Sequence, residues 1–289
     1  ARHIQTESLK IDTQTSTFHK SMIIIKSRET IDFHKQRRIR KLYGRMNASR
    51  YDLLLVRDTT SNSASYTDMA PIQSFNVTLK QVIVRFPVIG DFLYRTIFKD
   101  GTVGSSCCGR PDMWQLARPP LHLYPRLNAY KDIWVLEDDV DLFRHNRSVL
   151  MFTVENADIE FPEVDLLGFS FTKNCNAAWG FQRHTPGFER ILLDIKQRSL
   201  SSLCVSESIQ RLSHRMLKAH EEALDSGQFM WIENMIHPLA LSKNLSFYDL
   251  KAACHEQRFA PIGEIAEDQA RNKSMSRPNN TMCVHLKTL

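Results

Sequence analysis

The run Asp132-Ile133-Trp134-Val135-Leu136-Glu137-Asp138-Asp139-Val140-Asp141 passes from a solidly apolar segment to four carboxylates within five residues. The apolar part suits a buried central strand of a parallel sheet, and ligands of open α/β sheets sit outside the carboxyl ends of such strands. Acids crowded there repel one another strongly in a low dielectric unless a divalent cation or basic side chains compensate. Hard carboxylate oxygens favour Mg²⁺ or Mn²⁺ over zinc. The plainer alternative is a strand end whose acids face water or cap the next element.

For that strand to present its acids, other elements must hold it. Met22-Ile23-Ile24-Ile25 is a β-branched run that predicts a first buried strand. A helix should follow, with Ile39, Leu42, Tyr43 and Met46 at helical spacing and Lys35, Arg37, Arg38, Arg40, Lys41 and Arg45 on the other face. That basic face reads first as a solvated surface and second as a binding surface. Tyr51 to Val56 predicts a second strand, closing a βαβ unit at Arg57-Asp58-Thr59-Thr60. Residues 61–78 read as a polar loop and Gln81 to Val88 as a strand, while Gly104 to Gly109 and Pro119-Pro120 break regular structure. A buried strand through Asp165 to Phe171 should lie beside the Asp132 strand. Phe188, Ile191, Leu192 and Ile195 mark an amphipathic helix, and Ile209, Leu212, Met216 and Ala219 mark another. The alternation of strands and helices implies an α/β fold.

With 289 residues and 42% hydrophobic content, the chain can bury a sizeable core as one large or two small domains. A formal charge of +6 and a pI near 9.0 favour acidic partners such as nucleotide phosphates, anionic glycans, membrane surfaces or nucleic acid. No stretch of about 18 apolar residues is present, and no hydrophobic signal follows Ala1. A start at Ala suggests trimming, so that any anchor would lie upstream. Sequons occur at Asn47, Asn76, Asn146, Asn244, Asn272 and Asn279, a density that points to a secretory lumen. Cys107, Cys108, Cys175, Cys204, Cys254 and Cys283 are even in number without zinc-type spacing, which leans towards disulfides, with buried free thiols as the alternative.

Leu136-Glu137-Asp138-Asp139-Val140 resembles the LEDDV form of the acidic metal-binding motif of GT-A-fold glycosyltransferases. Three further segments are similar to parts of such enzymes: Ala178-Trp179-Gly180-Phe181-Gln182-Arg183 to the acceptor-side segment, Trp231-Ile232-Glu233-Asn234 to the helix that supplies a base in many inverting members, and Cys283-Val284-His285-Leu286-Lys287 to the late His-containing segment. The resemblance runs from about Ser21 to Lys287 and implies an open mixed, mostly parallel sheet flanked by helices. It implies a polar leader over 1–20, a nucleotide-sugar-binding half over 21–142, an acceptor-binding half over 143–263 and a polar tail over 264–289 that closes over the site.

The function so implied is metal-dependent transfer of a sugar from a nucleotide diphosphate sugar to a glycan or glycoprotein acceptor, with Mn²⁺ or Mg²⁺ as cofactor, no nucleic acid as partner, and the Golgi or ER lumen as location. Asp139 is then the direct metal ligand, with Glu137 and Asp141 as alternatives and Asp138 nearer the ribose. His285 completes the shell as a neutral imidazole; otherwise it is an ordinary surface histidine. Asp58 follows a strand and binds base or ribose, or else serves a turn or N-cap. Glu233 is the general base or an exposed helix carboxylate. Trp179 stacks a sugar face or packs in the core. Two other classes stay open: a metal-dependent nuclease or phosphohydrolase, and a non-catalytic glycan-binding protein on the same fold.

Overall fold

A computed structural model describes residues 20–27, 31, 33–59, 69–97, 118–137, 149–168, 171, 186–205, 209–228 and 230–250. In chain order the elements are β1 (Ser21–Ser27), α1 (Phe33–Tyr43), β2 (Tyr51–Asp58), β3 (Gln73–Val77), α2 (Leu79–Arg85), α3 (Pro87–Ile97), β4 (Asp132–Glu137), α4 (Val149–Glu160), β5 (Leu166–Gly168), α5 (Pro186–Gln197), β6 (Ile209–Ser213), α6 (His214–Asp225), α7 (Ile232–Ser242) and β7 (Phe247–Asp249). The strands form a single sheet in the order β3-β2-β1-β4-β6-β5-β7. Only β6 runs against its neighbours, pairing antiparallel with both β4 and β5. The expected open mixed, mostly parallel sheet flanked by helices is therefore observed.

Each strand of the centre is apolar on both faces because helices cover both. Met22, Ile24, Leu54, Val56, Ile133 and Val135 join a core under α2, α3, α5, α6 and α7. The residues between them, Ile23, Ile25, Leu53, Leu55, Trp134 and Leu136, join a second core with Ile39 and Leu42 of α1 and Val154 and Ala157 of α4. A buried polar network ties α4 to that second layer. The Asp158 carboxylate accepts from Tyr51 Oη at 2.8 Å, Trp134 Nε1 at 3.1 Å and Arg211 Nη1 at 2.8 Å. Arg211 also donates to the carbonyls of Phe161 and Val164.

Four sequence expectations are corrected. Gln81 to Arg85 lie on α2 and Pro87 and Val88 open α3, with Phe86 between them; Thr78 caps α2 through a reciprocal capping box with Gln81, which outweighs the β-branched Val82-Ile83-Val84 run. The loop expected over 61–78 contains β3 at its end, a half-exposed strand on the edge of the sheet. Ile209 and Leu212 lie on β6, and the helix starts only after Ser213, whose hydroxyl caps it by accepting from Met216 N. Their helix-like spacing is a coincidence of strand alternation: the two side chains enter opposite cores. In consequence β6 separates β4 from β5, which do not lie side by side as expected.

Candidate functional site

From β1 the chain moves outward through β2 to β3 and then returns to place β4 on the other flank of β1. This reversal between β1 and β4 is the place where an open α/β sheet offers a crevice beyond its carboxyl ends. The residues facing each other there are Lys26 and Glu137, partners in register at the ends of the two strands. Lys26 Nζ lies 2.8 Å from Glu137 Oε1, with side-chain exposures of 6% and 22%. An ammonium so enclosed needs its charge matched, and Glu137 matches it.

Register extends the group. Val56 of β2 and Met22, Ile24 of β1 belong to one core, so Asp58, two residues beyond Val56, closes β2 on the face that carries Lys26 and Glu137. Asp58 is buried. On the other side, Gln210 of β6 stands opposite Val135, hence on that same face and one pleat behind Glu137. Its Oε1 accepts from Arg118 Nη1 at 2.6 Å, and both side chains are fully buried. Arg118 enters the turn Pro119–Leu123 with a positive φ of 51°. One face of the carboxyl edge thus gathers two cations, Lys26 and Arg118, and two carboxylates, Asp58 and Glu137.

The same edge receives the start of α7. Val205 N donates to the Glu233 carbonyl at 3.0 Å, and Val205 packs on the end of β5 so closely that a Cβ on Gly168 would lie 2.4 Å from its Cγ1. Only glycine allows that approach. Glu233 is half-buried in the first turn of α7. One turn on, His237 is buried and its Nδ1 accepts from Leu203 N at 2.9 Å. Burial pushes its pKa down to about 4, so the ring is neutral with its proton on Nε2. His237 is a packing residue, as its place before Pro238 suggests.

The opposite, amino edge is built differently. Asp52 accepts from Lys20 Nζ and Tyr130 Oη, each at 3.0 Å. Asp165 accepts from Ser213 Oγ at 2.7 Å and Ser246 N at 3.0 Å. Asp132, at the start of β4, is enclosed enough that burial raises its pKa to about 6.

Asp58, Glu137 and Glu233 are therefore brought to one edge of the sheet. Asp138, Asp139, Asp141, Trp179 and His285 lie outside the described residues. Among the described residues no group of three His, Cys, Asp or Glu is placed to hold a metal. Sequence reasoning missed Lys26, Arg118 and Gln210. A lysine straight after Met22-Ile23-Ile24-Ile25 is a signal that could have been used, because a cation at the end of a buried strand needs a partner; nothing local marks Arg118. Cys204 is disulfide-bonded, and among the described residues no helix is long and apolar enough to cross a membrane.

No family model and no curated protein matches the chain. Solved structures similar to it include the mannosyltransferase Ktr4p of S. cerevisiae, at 12% identity and a TM-score of 0.34, covering 81% of this chain and 68% of that one. A galactosyltransferase, LgtC, in complex with donor and acceptor sugar analogs is similar at 6% identity and a TM-score of 0.37, covering 80% and 74%. Glucosyl-3-phosphoglycerate synthase of Mycobacterium tuberculosis, in complex with Mn²⁺, UDP and glucosyl-3-phosphoglycerate, is similar at 10% identity and a TM-score of 0.38, covering 92% and 81%. At these identities and scores the likeness assigns no residue of this chain.

Proposed function

We propose that the chain is a metal-dependent glycosyltransferase of GT-A type that moves a sugar from a nucleotide diphosphate sugar to a glycan or protein acceptor. The observation that carries the reading is the placement of Glu137, at the head of the acidic run, on the strand where the sheet reverses direction. Asp139 would be the direct metal ligand, with Glu137 and Asp141 as alternatives and His285 completing the shell. Their carboxylate and imidazole donors suit Mn²⁺ or Mg²⁺. When bound, such a cation stabilises the charge on the departing diphosphate. Asp58 and Asp138 would accept hydrogen bonds from base or ribose. Glu233 would take the acceptor hydroxyl proton in an inverting transfer, and Trp179 would stack a sugar face. Residues 21–142 would form the donor half and 143–263 the acceptor half.

The Cys204 disulfide supports a secretory lumen, Golgi or ER, as location. The exposed sequon at Asn47 suits glycosylation. The deciding experiment is calorimetry of UDP and GDP with Mn²⁺, with a single-stranded oligonucleotide plus Mn²⁺ as comparator, followed by a screen of nucleotide sugars for metal-dependent hydrolysis. Metal-dependent nucleotide binding that Asp139→Ala abolishes is expected. Unchanged affinity in that variant, or tighter binding of the oligonucleotide, overturns the reading.

A further inference from the structure

Between Lys35 and Arg50 the chain carries seven lysines and arginines and no aspartate or glutamate, one charge more than the +6 of the entire protein. The rest of the molecule is close to neutral, so its basicity is a property of α1 and the turn that follows. The rotation of α1 is fixed by Ile39 and Leu42, which enter the second core. Phe33, Arg37 and Arg40, spaced four and three residues apart, consequently share one exposed stripe. Lys41 flanks it, and exposed Arg45 lies in the turn just past the end of the helix. Phe33 is 71% exposed within this row. The helix dipole accounts for basic residues in the last turn, Arg40 and Lys41, but not for cations along the full length. Several of these side chains have partners of their own; what matters here is the excess of cations over acids.

We propose that this face of α1 is a docking surface for a linear polyanionic glycan of the sulfated class. The cations of α1, from Lys35 to Lys41, follow the helix axis over about 9 Å, a row that suits a charged chain rather than a plane of lipid headgroups. The pairs Arg37-Arg38 and Arg40-Lys41 form a basic cluster of the length that binds heparin-like chains or nucleic acid. Exposed Phe33 offers an apolar platform to the CH face of a sugar ring. The Cys204 disulfide favours an oxidising compartment, where glycans and not nucleic acids are at hand. Because α1 packs on the layer opposite Asp58, Lys26 and Glu137, this surface is separate from the proposed transfer site and its occupant need not be the acceptor.

Binding to an immobilised heparin oligosaccharide tests this, with unsulfated heparosan, single-stranded DNA and phosphatidylserine vesicles as comparators at equal salt. The triple variant Arg37→Ala, Arg40→Ala, Lys41→Ala should bind heparin about 10- to 100-fold more weakly and with a shallower salt dependence, as expected when three counterion-releasing contacts are lost. Phe33→Ala should weaken binding while leaving the salt dependence unchanged. Should the triple variant lose its cooperative melting, Arg37→Ala with Arg45→Ala, both exposed, takes its place and should show the same direction. Asp139→Ala should bind heparin as the native protein does, which keeps this result independent of the transfer reading. Heparin binding within about twofold of native in the neutralised variants overturns the proposal, as does tighter binding of DNA or vesicles than of heparin.

Discussion

Replacing Lys26 with methionine keeps most of the buried aliphatic volume and removes one charge at the point where the sheet reverses. The 2.8 Å pair with Glu137, taken at an effective dielectric of ~20, represents about 6 kcal/mol of gross attraction. Part of this is returned, because methionine carries no charge to desolvate. Stranding one member of a fully buried pair costs about 3–5 kcal/mol. Glu137 keeps 22% of its side-chain surface, so some water reaches it, and a net loss of about 2–3 kcal/mol at neutral pH follows. The loss should shrink in acid, where carboxylates in general take up protons and a missing ammonium matters less. Urea unfolding of both proteins at neutral pH and near pH ~4 measures it. The same variant leaves the acidic run less compensated, so Mn²⁺ should raise its melting temperature by more than it raises that of the native protein. A loss below about 0.5 kcal/mol at neutral pH, or a defect of equal size in acid, refutes the reasoning about the pair.

Asp158→Asn should cost about 3–5 kcal/mol in urea unfolding, since it leaves Arg211, fully buried, without its carboxylate; a loss under about 1 kcal/mol would show that Phe161 and Val164 carbonyls suffice. Asp132, whose pKa burial raises to about 6, holds its proton more tightly folded than unfolded, so the native state loses stability as pH rises from about 4 to about 6. Asp132→Asn should flatten that decline and gain about 1–3 kcal/mol above it, and an unchanged pH profile of unfolding contradicts this. Glu233→Gln should lower kcat by about 10²- to 10⁴-fold with donor affinity preserved if Glu233 is the base of an inverting transfer; near-native turnover removes that role.

Strands whose neighbours bury both faces were the most legible part of the fold. Met22 to Ile25, Tyr51 to Val56 and Ile133 to Leu136 are runs too apolar to lie anywhere but the sheet centre, and β1, β2 and β4 are found there. Elements decided by a single cap or by tertiary partners were not legible. Nothing in Val82-Ile83-Val84 announces a helix until Thr78 and Gln81 are seen to bond reciprocally. On β6, Gln210 and Arg211 would be costly in a buried strand were Arg118 and Asp158 not brought to them from 92 and 53 residues away. Such distant compensation leaves no local trace, and it is the reason β6, and with it the separation of β4 from β5, went unread.

The candidate site divides along the same line. Acids advertise themselves in a sequence by clustering, whereas the cations that answer them come singly and from afar: Lys26 from β1, Arg118 from beyond α3. The described residues of this edge include Lys26 and Arg118 together with Asp58, Glu137 and Glu233. Asp138, Asp139 and Asp141 follow Glu137 directly in the sequence and add three further carboxylates. In the proposed reading these acids recruit the divalent cation, since clustered carboxylates repel one another and a bound cation offsets that repulsion. A nucleotide diphosphate, itself anionic, would meet net repulsion at the edge until the cation is in place. Metal binding should thus precede nucleotide binding, with Mn²⁺ binding detectable by calorimetry in the absence of UDP and UDP binding undetectable in the absence of Mn²⁺. UDP that binds equally well in a chelator would place the compensating charge on the protein's own cations and remove the metal from the first step.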